Sequence, residues 1–239
     1  MMLSQCLIDE KSKGFKGGIY HKVQIELAYN SNHIEGSQLS DDQTRYIFET
    51  NTISFEEGSS IRVDDIIEVS NHFIALNFLI DSFQNKLTEE WIKEIHTILK
   101  RGTSDARKSG FQVGNYKSIP KEVGGEQTSL PENVATDMAS LIKKYHSLPL
   151  ISFEDILDFH VQFERIHPFQ DGNGRVGRLI MFKKCLKHNH VPFIISDDMK
   201  YFYYRRLSKW GDQNGFLLDS CLSAQDRFKD YLDYFRIEY

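Results

Sequence analysis

Within twelve residues, His167-Pro168-Phe169-Gln170-Asp171-Gly172-Asn173-Gly174-Arg175-Val176-Gly177-Arg178, the chain gathers an imidazole, a carboxylate, two guanidinium groups and a glycine-rich turn. Gly172 and Gly174 let the backbone turn tightly and bring N–H groups against a ligand. A helix starting near Arg175 would aim its positive end and its free N–H groups at that turn, which attracts an anion. Arg175 and Arg178 are three residues apart and share a helix face, and their forked donors suit phosphate oxygens. Asp171 would be repelled by such an anion unless a cation lay between them. A hard divalent ion, Mg²⁺ (or Mn²⁺), held by one carboxylate and the phosphate oxygens removes the conflict. An unperturbed imidazole titrates near pH ~6.5, so beside a phosphate site the natural work of His167 is to take the proton of an attacking hydroxyl. Pro168 pushes His167 toward an extended backbone and ends the helix before it.

Helices must hold these groups in place. From Ser152 to Ile166 the apolar residues Phe153, Ile156, Leu157, Phe163 and Ile166 recur at helical steps, and Ser152 with Asp155 makes a good N-terminal cap. That helix delivers His167 at its C-terminal end. The next runs from about 174 to 187, with Val176, Leu179 and Ile180 inward. Further helices are expected at about 19–34, 41–50, 63–83, 88–100, 131–146, 199–210, 215–222 and 224–236, with Thr88 and Pro131 as start signals. Residues 110–130 break the pattern. Gly114-Asn115, Pro120 and Gly124-Gly125 mark a loop or hairpin, in which Pro120 departs from a regular strand.

The twelve-residue string resembles the motif of the Fic family, HPFxDGNGRxGR, at every specified position. The resemblance implies an all-α, Fic-type helical bundle with a small β-hairpin flap beside the active-site loop. It implies a nucleotidyltransferase that moves AMP from ATP to a Ser, Thr or Tyr hydroxyl of a target protein or of itself. By position, His167 is then the base and Asp171 the metal ligand. Gly172, Asn173 and Gly174 form the anion hole, and Arg175 and Arg178 the phosphate clamp. The region 114–130 becomes the flap, whose open strand edge would bind an extended segment of a protein target. Aromatic residues of the run Tyr201-Phe202-Tyr203-Tyr204 lie where such proteins place the adenine pocket, which makes Tyr203 and Tyr204 the candidates there. Transfer of phosphate or phosphocholine by the same site, or a non-catalytic nucleotide sensor, are the alternatives. The intact GNGR segment and the complete motif including His167 weigh against each in turn.

A second segment, Ser31-Asn32-His33-Ile34-Glu35-Gly36, ends the helix at 19–34, and Gly36 suits its C-terminal cap. Ser31 and Glu35 are four apart and face the same way. The string matches the inhibitory motif of the Fic class whose brake lies on an N-terminal helix (class II). That resemblance implies that Glu35 pairs with Arg178 and places negative charge where the γ-phosphate belongs. It also leaves open a reverse reaction, in which Glu35 orients a water that removes AMP.

The remaining features bound the answer. A chain of 239 residues can bury a substantial core. The division expected is N-terminal helices over 1–60, with the inhibitory motif, and a catalytic core with C-terminal helices over 61–239, packed as one unit. The net charge of −5 argues against broad nucleic-acid or anionic-membrane binding, and Lys183-Lys184 is expected on a solvated helix face. Three cysteines make neither a paired framework nor a CxxC site, and Cys185 and Cys221 suit core positions. His160 is expected as a hydrogen-bonded core residue, and His188 and His190 as closing a helix. No leader or membrane-spanning stretch stands out, which gives the expectation of a cytoplasmic protein. The closing segment, 226–239, suits a helix packed on the core or on a second subunit, so a homodimer stays open.

Overall fold

The computed structural model describes residues 2–54, 58 and 60–239. Ten α-helices form among the described residues: α1 (Leu3–Lys13), α2 (Ile19–Ile34), α3 (Asp41–Thr50), α4 (Val63–Ser82), α5 (Glu89–Lys100), α6 (Pro131–Ser147), α7 (Phe153–Ile166), α8 (Asn173–Lys187), α9 (Lys200–Ser208) and α10 (Asn214–Tyr234). Among the described residues there are also two 3-10 turns, Asp105–Arg107 and Asp197–Met199, and one two-stranded antiparallel sheet, β1 (Glu122–Val123) and β2 (Glu126–Gln127). The fold is all-α with a small hairpin, as the periodicity and the family resemblance imply.

Helix α8 is the axis of the molecule. Every residue from Asn173 to Leu186 is buried, and α2, α4, α5 and α7 pack around it. Its predecessor α7 starts with a reciprocal cap: Asp155 N–H donates to Ser152 Oγ at 3.1 Å, and the Asp155 carboxylate accepts from Ser152 N–H at 2.8 Å. Thr88 caps α5, its hydroxyl accepting from Trp91 N–H at 3.2 Å. These two helices bring Ile92, Ile95, Leu99, Ile156, Phe159 and Phe163 into one core with Val176, Leu179 and Phe182 of α8.

Helix α1 was not expected. It lacks a side-chain cap at Met2, and only Leu3, Cys6 and Leu7 are buried, so its sequence shows a single apolar turn. Tertiary packing on α2 and α4 supplies the rest. The helices expected at 215–222 and 224–236 are one continuous helix, because Ser223 holds its hydroxyl on the Asp219 carbonyl and does not break the run. The hairpin begins after Pro120, with Glu122 opposite Gln127 and Val123 opposite Glu126. Division of the chain near residue 60 falls beside residues 55–57 and 59, which lie outside the described residues. Residues of α1, α2, α4, α7 and α8 contribute to the same core. No described helix is long and apolar enough to cross a membrane.

The expectation that Lys183 and Lys184 are solvated is corrected. Lys183 Nζ donates to the carbonyls of Ser82, Phe83 and Asn85 at 2.8, 2.8 and 2.9 Å, closing the end of α4. Lys184 is only 2% exposed, and its Nζ lies 3.6 Å from the Tyr145 ring centroid and 2.9 Å from that of Phe159. Because α8 is enclosed on all sides up to Leu186, Lys183 and Lys184 have no solvent face to occupy.

Candidate active site

The site lies where α7 hands over to α8. His167 is the C-terminal cap of α7, and its N–H donates to the Phe163 carbonyl at 2.9 Å. Its backbone is left-handed, with φ 51° and ψ 63°, not extended as Pro168 alone would suggest. The need to close α7 wins here, and the helix-end carbonyls are taken up from outside: Lys117 N–H donates to Pro168 O at 2.8 Å and Lys117 Nζ to Ile166 O at 3.2 Å. A non-glycine residue held in that region is a mark of functional sites.

The loop that follows is shaped by Asn173, whose amide Oδ1 accepts from Phe169 N–H and whose Nδ2 donates to Phe169 O, both at 2.8 Å. Its side chain is therefore committed to the turn, and only its backbone is left to face a ligand. Gly172 caps α8 with φ 81°. Val176 N–H makes the first helical bond, to Gly172 O at 3.1 Å, so the amides of Asn173, Gly174 and Arg175 lie ahead of it. Together with the helix dipole these free amides can receive an anion.

That site faces the Glu35 carboxylate. A Cβ on Gly174 would run into Glu35 Oε1, so the glycine is what lets the carboxylate approach the first turn of α8. Arg178 NH2 donates to Glu35 Oε1 at 2.7 Å and to the Ser31 carbonyl at 2.9 Å, while Arg178 Nε donates to Ser31 Oγ at 2.9 Å. Tyr204 OH adds a bond to Glu35 Oε1 at 3.2 Å. Burial works against the Glu35 charge, but Arg178 and Arg175 outweigh it and hold its carboxyl below the ordinary value.

Asp171 sits on the other side of the turn with its side chain 42% exposed. Its Oδ2 accepts from Lys100 Nζ at 2.7 Å and from Arg175 NH2 at 3.3 Å. Burial would raise its carboxyl, but Arg175 and Lys100 keep it well below the usual range. Lys100 also reaches Glu68 at 2.6 Å and Asp105 at 3.1 Å. Arg175 is divided among Glu68 (2.6 Å), Asp171 and the Asn32 amide oxygen (3.3 Å). A hard, half-exposed carboxylate next to an anion site fits Mg²⁺, which is commonly bound through one or two carboxylates plus substrate phosphates. Among the described residues no three His, Cys, Asp or Glu side chains converge as a metal cage.

The imidazole of His167 is nearly buried. Burial first, then the charges of Lys121 and Lys117, push it down to about 4, so it is neutral and holds a free lone pair near neutrality. Lys121 Nζ donates to Gln170 O at 2.7 Å, which ties the flap to the loop.

Of the two aromatic candidates, only Tyr204 presents its ring, 38% exposed, beside the site. Tyr203 is corrected to a core residue: it is 1% exposed and its hydroxyl pairs with His160 Nε2. His188 pairs with Tyr145 OH at 2.8 Å and His190 with the Ile151 carbonyl at 2.9 Å. Phe169 lies under the loop, its ring stacked on His96 at 3.9 Å.

Sequence reasoning missed four residues here: Asn32, Glu68, His96 and Lys100. His96 pins the loop to the flap base, with Nε2 at 3.1 Å from the Asp171 carbonyl and Nδ1 accepting from Gly114 N–H at 2.9 Å. Asn32 adjoins Ser31 and could have been found from the motif. Glu68, His96 and Lys100 sit on α4 and α5 with no local pattern to mark them.

Residues 86–183 match the model of the Fic/DOC family. The chain is 29% identical over 219 residues to Protein adenylyltransferase Fic of Drosophila persimilis, covering 90% of this chain and 40% of that protein. It is 28% identical over 201 residues to the protein of the same name in Drosophila melanogaster, covering 82% and 39%. It therefore spans about two-fifths of the length of these curated relatives. Among solved structures, a Fic domain containing signaling protein from Bacteroides thetaiotaomicron superimposes with a TM-score of 0.71 at 25% identity, covering 97% of this chain and 90% of that one. Fic-1 from C. elegans shares the fold, with a TM-score of 0.73 at 20% identity over 98% of this chain and 72% of that one.

Proposed function

As a chain that carries a Fic/DOC domain over residues 86–183, we propose that this protein is an adenylyltransferase that moves AMP from ATP to a Ser, Thr or Tyr hydroxyl of a protein. The observation that carries the reading is the anion site at the start of α8, already met by an internal anion, Glu35, that also takes Arg178.

In this reading the triphosphate lies along the amides of Asn173 and Gly174, with Arg178 on its far end in place of Glu35. Asp171 would hold Mg²⁺, which when bound neutralises charge on the leaving pyrophosphate. His167, neutral at physiological pH, takes the proton of the attacking hydroxyl. The oxygen attacks the α-phosphorus, the bond to the β-phosphate oxygen breaks, and pyrophosphate departs with its charge held by Arg175 and Arg178. The hairpin Glu122–Gln127 lies on the His167 side through Lys121 and offers strand edges to an extended target segment. Self-modification is part of the proposal, since any exposed segment of this fold that reaches the flap is a target.

Glu35 is the brake. Ser31 and Glu35 satisfy Arg178 from one helix end, so a γ-phosphate meets an occupied arginine and a like charge. The test is incubation of wild type, Glu35→Gly and His167→Ala with ATP labelled at the α-phosphate, followed by mass analysis of the protein. The reading expects AMP on the Glu35→Gly protein, little on wild type and none on His167→Ala. Added phosphate or phosphocholine, or no label in any variant, would overturn it.

A further inference from the structure

Behind the candidate base, α7 carries a second acid. Glu164 stands one turn before His167, and its side chain is only 16% exposed. Its Oε2 lies 3.9 Å from His167 Nδ1. Neither His167 Nδ1 nor Glu164 Oε1 has a hydrogen-bond partner, although both are buried. Oε1 lies beside the equally unpartnered His160 Nδ1, since one Cβ on Gly177 would meet both, which leaves Oε2 as the carboxyl oxygen on the His167 side, and an unsatisfied buried Nδ1 there is costly. The separation of Oε2 from His167 is about an ångström beyond a hydrogen bond, and such contacts at a reactive imidazole tighten when substrate binds. Helix α8 makes room for the acid: a Cβ on Gly177 would come within 2.9 Å of Glu164 Oε1 and 2.8 Å of His160 Nδ1. A glycine inside a helix weakens it relative to alanine, so the close approach has a reason.

We infer that Glu164 is the positioning residue for His167, accepting a hydrogen bond from Nδ1–H so that the Nε2 lone pair faces the incoming hydroxyl. The inference rests on the proposed transferase chemistry, in which His167 is the base. An imidazole has two tautomers, and only the one protonated at Nδ1 leaves Nε2 free to accept. Charged neighbours do not fix that choice, because Lys121 and Lys117 are donors and cannot accept from Nδ1–H. The Glu164 backbone carbonyl also lies near the ring, outside strict hydrogen-bond geometry, and pulls the imidazole upward as an acceptor, so replacing the side chain alone separates the carboxyl from the carbonyl. Burial first, and Glu35 second, push the Glu164 carboxyl up to about 8 against the pull of Arg178, so near neutrality the group carries its proton. A neutral acid still accepts through its carbonyl oxygen, and glutamine is its closest replacement in shape and charge.

The test uses Glu164→Gln and Glu164→Met, each in the full chain and each also combined with Glu35→Gly. Nitrogen-15 NMR of histidine-labelled protein reads the His167 tautomer, identified by its loss in His167→Ala. Wild type and Glu164→Gln should hold the proton at Nδ1, and Glu164→Met should move it toward Nε2. On the Glu35→Gly background, Glu164→Met should lower kcat by roughly 10- to 100-fold with KM for ATP unchanged, while Glu164→Gln stays within about threefold. A wild type already protonated at Nε2 overturns the inference without any variant. So does Glu164→Met with an unchanged tautomer, or Glu164→Gln as damaged as Glu164→Met. If no variant transfers AMP while the tautomers move as stated, the transferase reading fails and the pairing stands.

Discussion

Replacing Glu35 with glycine is the perturbation whose outcome the geometry fixes most sharply. Glu35 Oε1 accepts from Arg178 at 2.7 Å and from Tyr204 at 3.2 Å, and both bonds must break before a phosphate can take the arginine. A hydrogen bond to a charged group contributes about 1.5–3 kcal/mol. If that contact alone opposes the productive pose, its removal raises the rate by roughly 10- to 150-fold. Arg178 is not left bare, since Ser31 Oγ and the Ser31 carbonyl still accept from it at 2.9 Å. Glu35 sits at φ −86° with no strain, so glycine changes little in the backbone itself. Glu35→Gln keeps an oxygen acceptor without the charge and should fall between wild type and glycine. The assay is the initial rate of label transfer from α-labelled ATP at saturating Mg²⁺, with His167→Ala on the same background as the blank. Equal rates for wild type and Glu35→Gly, with the blank silent, would refute the argument: the Glu35–Arg178 contact would then be structural only.

Three other outcomes follow from buried charge. His72, His96 and His160 are held near 3 and His167 near 4, chiefly by burial, against 6.5 in an unfolded chain. Above pH 6.5 neither state takes the proton, so stability is full. As pH falls below 6.5 only the unfolded state does, and each histidine removes about 1.4 kcal/mol per pH unit. The thermal midpoint should drop steadily from pH 7 to 5, and a flat profile would contradict the burial argument. Lys184→Met replaces an amine that has no hydrogen-bond partner between Tyr145 and Phe159 with a side chain of similar length. Removing that desolvated group should stabilise by about 1–2 kcal/mol, raising the midpoint by roughly 2–8 °C, and a lower midpoint would show that the ring contacts outweigh it. Lys100→Met leaves Glu68, Asp105 and Asp171 without their shared cation and should cost about 3–5 kcal/mol. Denaturant unfolding measures it, and a loss under 1 kcal/mol would mean that solvent screens the three carboxylates.

Much of this was readable from residue order because the chemistry is local. His167 to Arg178 is one stretch of backbone, and Ser31 to Glu35 is one turn of helix, so spacing alone put each set on one side of its element. Helix periods and the start signals at Thr88, Pro131 and Ser152 marked most of the scaffold. Readings failed where a long-range contact decides. Lys184 looks solvated until α6 and α7 enclose it. Tyr203 and Tyr204 are adjacent and alike, and only the packing of α9 on His160 sends one ring inward. Lys100 looks like an ordinary last-turn lysine, since its three carboxylate partners come from α4, the loop after α5 and the motif itself. The left-handed backbone at His167 follows from closing α7, which outweighs the local preference set by Pro168.

The two motifs meet because two helix ends do. The C-terminal end of α2 carries carbonyls without helical partners and a partial negative charge, and Arg178 binds there through the Ser31 carbonyl. The N-terminal end of α8 carries free amides and a partial positive charge, and the Glu35 carboxylate lies there. Each charged side chain is thus stabilised by the helix of the other, besides by its partner directly. A nucleotide that displaces Glu35 replaces one anion with another at α8 and leaves the attraction between Arg178 and α2 intact. The proposed exchange is therefore between two anions competing for one arginine and one helix end, with no need for α2 to unfold. In the proposed exchange the movement is confined to the segment after Ile34, where Gly36 at φ 97° ends the helix. Limited proteolysis or hydrogen exchange with and without ATP should then show change at 35–40 and protection retained over Ile19–Ile34, and loss of protection along the whole of α2 would refute a local exchange.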